Sequence, residues 1–378
     1  MAEPIGVGIN GAGRIGALSY RALYPCIRQG VVRVYAFNDV EKNATPEAIV
    51  RYLSRDSVHG KFAADVRSEG GKVIVDGIPI DVLQEKDPAK LRWSERGVQI
   101  ALDATGAFTQ AESEKGGYMD HIKAGAKYVV ISAPVKDDVA KTVVLGVNYD
   151  PSLLQNYQAI SNASCTTNCL APIVKVLKEI FGVIAGDMIT IHAYTNDQKL
   201  VDAYHKDPRR ARAANNVIPT STGAAKAIGL IFPDLRGKIS ANAIAYRVPL
   251  PDGSVVDFNV KLDKEATPEM VNEALREAAS SDLEGILEFS TAVDFVSGDV
   301  IGNPHSSVVD GLLTTTASEG RIKVVSWYDN EWGYSNRTAE LIVSIAKHLR
   351  PSLKVAKIAS PPLDKGDRGD LEDFAGHA

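Results

Sequence analysis

The run Ser161-Asn162-Ala163-Ser164-Cys165-Thr166-Thr167-Asn168-Cys169-Leu170-Ala171-Pro172 sets a cysteine among small hydroxyl and amide side chains. They leave its sulfur uncovered and surround it with hydrogen-bond donors, which suits a nucleophile. Leu170, Ile173, Val174, Leu177 and Phe181 follow at helical spacing, with Lys175, Lys178 and Glu179 on the other side. Cys165 therefore stands just ahead of an amphipathic helix, where unpaired N–H groups and the helix dipole favour a thiolate near neutral pH. Pro172 cannot donate to the carbonyl of Asn168, so a kink or an irregular first turn is expected. The alternative reading of Cys165 is a small buried apolar residue.

A second reactive group follows at His192. In Met188–Tyr194, Ile189 and Ile191 share one face of an alternating strand, while Thr190, His192 and Tyr194 share the other. The histidine is thus expected on the polar side. The interval from Cys165, 192 minus 165 or 27 residues, accommodates one helix and a turn back to an adjacent strand. An imidazole meeting the sulfur could stabilise a thiolate and then act as a general base. Beyond it, a polar stretch from 195 to 216 carries His205, Lys206, Arg209, Arg210 and Arg212, and reads either as a solvated face or as part of an anion site. Pro219–Lys226 resembles a loop entering a helix, a natural anion seat, and Arg247 in the strand-like Ala243–Val248 could hold a phosphate in bidentate fashion. Two anion seats near a nucleophile suggest a phosphorylated substrate, or a phosphate that attacks an acyl-enzyme.

The elements that must position these groups begin at Ile5–Asn10, a buried strand that opens directly into Gly11-Ala12-Gly13-Arg14-Ile15-Gly16. Ile15, Leu18, Ala22 and Leu23 continue at helical spacing. A G-x-G-x-x-G between strand and helix permits a tight turn and a pyrophosphate close to the backbone. The second strand, Val31–Phe37, ends at Asn38-Asp39, where an acidic side chain would hold a ribose hydroxyl and favour NAD over a 2′-phosphorylated cofactor. The remaining alternative is a glycine turn that merely allows close packing. Apolar runs at Val98–Leu102, Tyr128–Ser132 and Val143–Val147 alternate with helical patterns such as Tyr118–Ala124, predicting a mostly parallel, doubly covered α/β sheet of Rossmann type. Thr105-Gly106 and Ser132-Ala133-Pro134 fall at strand ends, where they would line the cofactor or simply punctuate turns.

After residue 165 the strand patterns Ser254–Leu262, Ser306–Val309 and Ile322–Trp327 lack a βα rhythm, so an α+β domain with a mixed or antiparallel sheet is expected. Helical patterns cover Pro268–Ala279 and Thr338–Leu349, the latter after a polar-aromatic turn at 326–334. At 378 residues two domains are the sensible prior, divided as 1–164, completed by a returning helix at 331–350, and 165–330. The segment 351–378 is expected to be a mobile surface extension. A net charge of −5 gives no global attraction to nucleic acid or acidic membrane. Three cysteines suit a reducing compartment, and no further Cys or His stands at metal-ligand spacing around Cys165 and Cys169. The N-terminus runs straight into the first strand, so a cytoplasmic location is expected.

Taken together, the glycine loop, Ser161–Pro172, His192–Gln198, Pro219–Ala225 and Ser326–Arg337 resemble the phosphorylating glyceraldehyde-3-phosphate dehydrogenase family over roughly residues 4 to 350. The resemblance implies oxidation of the aldehyde with NAD and inorganic phosphate to an acyl phosphate, usually in a homotetramer, with no membrane and no nucleic acid as primary partner. It implies Cys165 as nucleophile and His192 as its base. Ser164, Thr166, Thr195, Arg209, Thr222, Gly223 and Arg247 would hold substrate and phosphate. Gly11, Gly13, Arg14, Ile15, Asp39, Lys86, Thr105, Ser132 and Asn330 would hold the cofactor, and no metal is called for. A thiol rather than a serine hydroxyl keeps the acyl group activated as a thioester. The chain departs from the family pattern at Ala12, Ala17, the longer 240–246 segment and Leu250, and around Val40 and Ala203-Tyr204, which leaves use of NADP open. Alternatives are a relative acting on erythrose 4-phosphate and, from a different class, a scaffold that binds RNA or a partner through the cofactor groove.

Overall fold

The computed structural model describes residues 3–240 and 242–355. Ile5–Asn10 is buried at every position because it lies at the centre of a sheet covered on both faces. That sheet has nine strands in the order Lys141–Thr142, Ala159–Ser161, Tyr128–Ile131, Ile100–Asp103, Ile5–Asn10, Val32–Asn38, Ile78–Leu83, Lys72–Val75, Val66–Glu69. The first seven are mutually parallel and the last two pair antiparallel. Strands on opposite sides of Ile5–Asn10 diverge in chain order, which opens a crevice at its carboxyl end, where the glycine turn sits.

The second sheet runs Ile218–Ser221, Ile244–Val248, Val183–Ala193, Ser254–Leu262, Ile322–Tyr328, Ser307–Asp310, Leu287–Ser290, with parallel and antiparallel neighbours. It is the mixed sheet expected. The helix Cys165–Phe181 lies on it and supplies Leu170, Ile173, Val174 and Leu177 to its core beside Val256, Phe258 and Val324. The helix continues through Pro172. The last helix returns to the first half, where Leu341, Ile342 and Ile345 join Leu18 and Leu23 in one buried cluster.

Local expectations fail in three places. Val143–Val147 is a turn after the short strand Lys141–Thr142, because Gly146 takes φ +77° and the Asn148 side chain accepts from the Val144 N–H at 2.7 Å. The Tyr118–Ala124 pattern yields only Asp120–Lys123 as helix. Pro219–Ser221 is a strand rather than a loop. The last helix, Trp332–Leu349, matches the returning helix expected at 331–350 and begins ahead of the apolar pattern from Thr338, because the Asp329 carboxylate accepts the Glu331 and Trp332 N–H groups at 2.9 and 2.6 Å and caps it there. Of the segment 351–378, residues 356–378 lie outside the described residues.

Candidate active site

One cleft of about 720 Å³ joins the two halves. It is lined by Gly11, Gly13, Arg14, Ile15, Asp39, Lys86, Thr105, Ser132 and Asn330 on one side, and by Ser164, Cys165, His192 and Thr195 on the other. Cys165 opens its helix at the cleft, with the Ser164 hydroxyl as N-cap, accepting from Thr167 N–H at 3.1 Å. Ala163, fully buried, holds φ +53° immediately before, a left-handed conformation that turns the chain from the strand Ala159–Ser161 into the helix.

The Cys165 sulfur lies 3.4 Å from His192 Nε2. The strand carrying that histidine turns the opposite way from the expected amphipathic pattern. Thr190 and His192 are buried, whereas Ile189 and Ile191 are 44% and 46% exposed. A two-residue period separates two faces, but it does not say which one meets the core. The polar face is buried because its groups are partnered. Thr190 Oγ1 donates to the Val255 carbonyl at 2.9 Å, and the Tyr328 hydroxyl lies 2.9 Å from both Thr190 Oγ1 and Thr166 Oγ1. Tyr328 also packs edge-on against the His192 ring.

Arg247 sits on the far side of the imidazole, with Nη1 2.6 Å from His192 Nδ1 and 3.1 Å from the Ala193 carbonyl. A guanidinium only donates, so with Arg247 seated there Nδ1 accepts and Nε2–H faces the sulfur. Were Arg247 drawn to an anion, Nδ1–H would donate to the Ala193 carbonyl, 2.7 Å away, and the Nε2 lone pair would face Cys165. Burial, with the Arg247 charge adding to it, brings the His192 pKa down to about 3. Burial likewise pushes the Cys165 thiol up, opposed by Arg247. Desolvation in this arrangement works against the thiolate that the neighbouring cation and the hydrogen bonds at the helix start favour.

The other anion candidates are dispersed. Thr166 is buried with its hydroxyl turned to Tyr328, away from the cleft. Ile218 stands opposite Arg247 and Ser221 opposite Ile244, so Thr222 and Gly223 begin the helix Ala224–Ile231 at the other end of that strand pair, roughly 10–14 Å along it. Arg209 is exposed, and Arg210 is paired with Asp197 and Asp207. Arg247 Nε is buried without a hydrogen-bond partner among the described residues, an unused donor suited to an anion.

The residues on the cofactor side fit a dinucleotide. Gly11 has φ +96°, and a Cβ on Gly16 would come within 1.9 Å of the Gly11 carbonyl oxygen, so these two make the tight turn and the close packing. A Cβ on Gly13 would meet nothing within 4 Å, leaving an open approach to the first N–H groups of the helix Arg14–Arg28. Asp39 accepts the Ala12 N–H at 2.8 Å and the Glu41 N–H at 3.0 Å, which fixes its carboxylate at the cleft. Thr105 is held by Asp103 through its amide and hydroxyl, at 3.0 and 2.7 Å. Arg14 borders the cleft, but its guanidinium is engaged by Asp56 and Glu331. Sequence reasoning missed Asn10, Glu331 and Tyr334 in the lining. It also missed the buried His59, which meets Asp252 and Asp329 from two distant segments that leave no local signal.

Residues 5–111 match the family profile described as glyceraldehyde 3-phosphate dehydrogenase, NAD binding domain, and residues 164–330 match its C-terminal domain. The chain is 49% identical over 343 residues to glyceraldehyde-3-phosphate dehydrogenase 1 of Bacillus subtilis, covering 90% of this chain and 98% of the relative. It is 50% identical over 351 residues to the glyceraldehyde-3-phosphate dehydrogenase of Mycobacterium avium and 48% over 349 residues to that of Streptomyces coelicolor, in both cases covering 91% of this chain and 99% of the relative. With both halves matched and relatives about half identical across nine-tenths of its length, the chain belongs to the glyceraldehyde-3-phosphate dehydrogenase family.

Proposed function

We propose that the protein oxidises glyceraldehyde 3-phosphate with NAD and inorganic phosphate, using Cys165 as nucleophile and His192 as base. The observation that carries this is the 3.4 Å approach of Cys165 Sγ to His192 Nε2 at the floor of the cleft bordered by the glycine turn. The substrate phosphate draws Arg247, with its unpaired Nε, off the imidazole. His192 then anchors Nδ1–H on the Ala193 carbonyl and takes the Cys165 proton at Nε2. The sulfur attacks the aldehyde carbon, forming a C–S bond while the carbonyl π pair moves to oxygen. That oxygen lies beside the first turn of the Cys165 helix, where backbone N–H groups lack intrahelical partners. His192 returns its proton to the oxygen to give a hemithioacetal.

Bound NAD supplies the acceptor for the hydride lost from the former aldehyde carbon. His192 Nε2 removes the hydroxyl proton in the same stage, leaving a thioester on Cys165. A phosphate oxygen then attacks the acyl carbon, the C–S bond breaks, and the thiolate leaves. Ser164, Thr166, Thr195, Arg209, Thr222 and Gly223 are assigned to substrate and phosphate on the family pattern, of which Ser164 and Thr195 border the cleft. Replacing Cys165 by Ser tests the reading: NADH formation from aldehyde, NAD and phosphate should vanish while NAD binding persists. Sustained turnover would require another nucleophile.

Assembly as a homotetramer and work in a reducing compartment such as the cytoplasm complete the proposal. Ile189, Ile191 and Ile244 form an outward apolar band on neighbouring strands of the second sheet, suited to burial against another copy. Cys26, Cys165 and Cys169 are all free thiols. Among the described residues, no helix is long and apolar enough to cross a membrane. Light scattering on the purified protein checks the subunit count.

A further inference from the structure

The side chain of His59, in the first half, has no exposure to solvent and does not itself line the cleft. Its Nε2 lies 3.2 Å from one carboxylate oxygen of Asp252 and 3.2 Å from one of Asp329, both in the second half, and its Nδ1 lies 3.4 Å from Asp56. Burial alone would lower the His59 pKa, but the surrounding carboxylates of Asp252, Asp329 and Asp56 outweigh it and raise it to about 11. The imidazolium thus fills the space between the two buried aspartates.

Each partner then reaches the cofactor cleft. Asp252 Oδ1 accepts the Asn330 N–H at 3.2 Å, while the Ser254 hydroxyl donates to Asn330 Oδ1 at 2.5 Å, so the amide NH₂ of Asn330 is left to face the cleft it lines. Asp329 Oδ1 takes the Glu331 N–H at 2.9 Å, and the Glu331 carboxylate grips Arg14. Arg14 closes the circuit with two bonds to Asp56, at 2.9 and 3.1 Å, and Asp56 accepts the His59 N–H at 2.9 Å. Four segments, at 14, 56–59, 252–254 and 329–331, therefore form one ring around His59, and two of its members border the cleft from opposite halves.

We infer that His59 and Asp252 are positioning residues for the nicotinamide cofactor: they lock the seam between the two halves so that the Asn330 amide and the Arg14–Glu331 pair stand in register at the cleft. This rests on the reading that Asn330 holds the bound cofactor. A ring of paired groups suits such a task because removing one member strands buried charge and lets the rest move.

The test is calorimetric titration of NAD into the full-length protein and into Asn330→Ala, His59→Gln, Asp252→Ala and Asp252→Asn, with steady-state kinetics, melting temperature and the rate of Cys165 alkylation by iodoacetamide. Asn330→Ala should weaken NAD about tenfold, and His59→Gln and Asp252→Ala should weaken it to a similar degree, since each leaves buried partners unsatisfied. Asp252→Asn keeps the oxygen that accepts the Asn330 N–H and should stay within about threefold of the unmodified protein. KM for NAD should rise more than kcat falls, and cofactor-free alkylation of Cys165 should hold its rate. A lowered melting temperature with unchanged NAD affinity in both His59→Gln and Asp252→Ala, while Asn330→Ala weakens NAD, overturns the inference alone. An Asn330→Ala protein that binds NAD normally overturns the underlying reading as well. Should His59→Gln fail to fold, the contrast between Asp252→Ala and Asp252→Asn decides.

Discussion

Replacing Asp39 by Ala should reverse the protein's choice between NAD and NADP, and the size of the change follows from two separate losses. Asp39 already accepts the Ala12 and Glu41 N–H groups, one on each carboxylate oxygen, which leaves a lone pair on each for ribose hydroxyls at the cleft. A hydrogen bond to a charged acceptor contributes about 1.5–3 kcal/mol, so the NAD complex should weaken by roughly 10- to 100-fold. The second loss is repulsive. A 2′-phosphate carrying about 1.5–2 negative charges, some 5 Å from the carboxylate at an effective dielectric of about 40–80, is disfavoured by roughly 1.5–3 kcal/mol. Glu41 also lines the cleft and survives the substitution, so the gain for NADP should sit near the lower figure. The ratio of kcat/KM for NAD to that for NADP should therefore shift toward NADP by roughly 10²–10³. Asp39→Asn keeps the acceptor for Ala12 but not the charge, and should fall between the two. The assay is initial-rate kinetics with each nicotinamide at saturating aldehyde and phosphate. A ratio that moves by less than a factor of three would refute the geometry, because the carboxylate would then not face the ribose.

Three further outcomes are expected. His192→Asn should lower kcat by about 10²–10⁴ with little change in KM for NAD, read by stopped-flow NADH formation; a loss under tenfold would remove His192 as base. Gly13→Val places new bulk where a Cβ meets only the cleft, so the melting temperature should hold while NAD affinity collapses, whereas Gly16→Ala drives a methyl into the Gly11 carbonyl and should cost folded yield. Unfolding in urea should show stability falling as pH rises above neutrality. The His59 pKa is raised from 6.5 to about 11 in the folded protein, so its contribution is fully present below about pH 6.5 and lost as pH climbs toward 11. Asp252 is raised too, by burial and then by the Asp329 charge, which gives the same sign. His59→Gln should flatten that slope between pH 7 and 9.5, and an unaltered slope would mean that His59 is not the group titrating.

Much of the fold was legible because its signals are local. The strand Ile5–Asn10, the glycine turn and the first helix are adjacent in sequence, and each carries its own constraint on backbone conformation or packing. Cys165 could be placed at a helix start from the apolar spacing that follows it, and the strand Ser254–Leu262 and the helix Pro268–Ala279 could be read to their ends. What escaped was decided between segments. Ile189 and Ile191 look like core residues, yet the hydroxyl and imidazole face opposite them is the one Tyr328 and Val255 satisfy. The apolar pattern of the final helix starts only at Thr338, because its first turn and its capping aspartate sit inside a polar-aromatic run that resembles a loop. His59 was invisible, since nothing near it in sequence announces Asp252 or Asp329.

Leu341, Ile342 and Ile345 are packed with Leu18 and Leu23, more than three hundred positions upstream. During synthesis the dinucleotide half therefore leaves the ribosome with one side of its interior uncovered, and it cannot be sealed until almost the entire polypeptide has been made. A chain that ended at residue 331 would keep Cys165, His192 and Asn330 yet lack the piece that shields its apolar surface from water, a substrate for chaperones and proteases rather than a partly working enzyme.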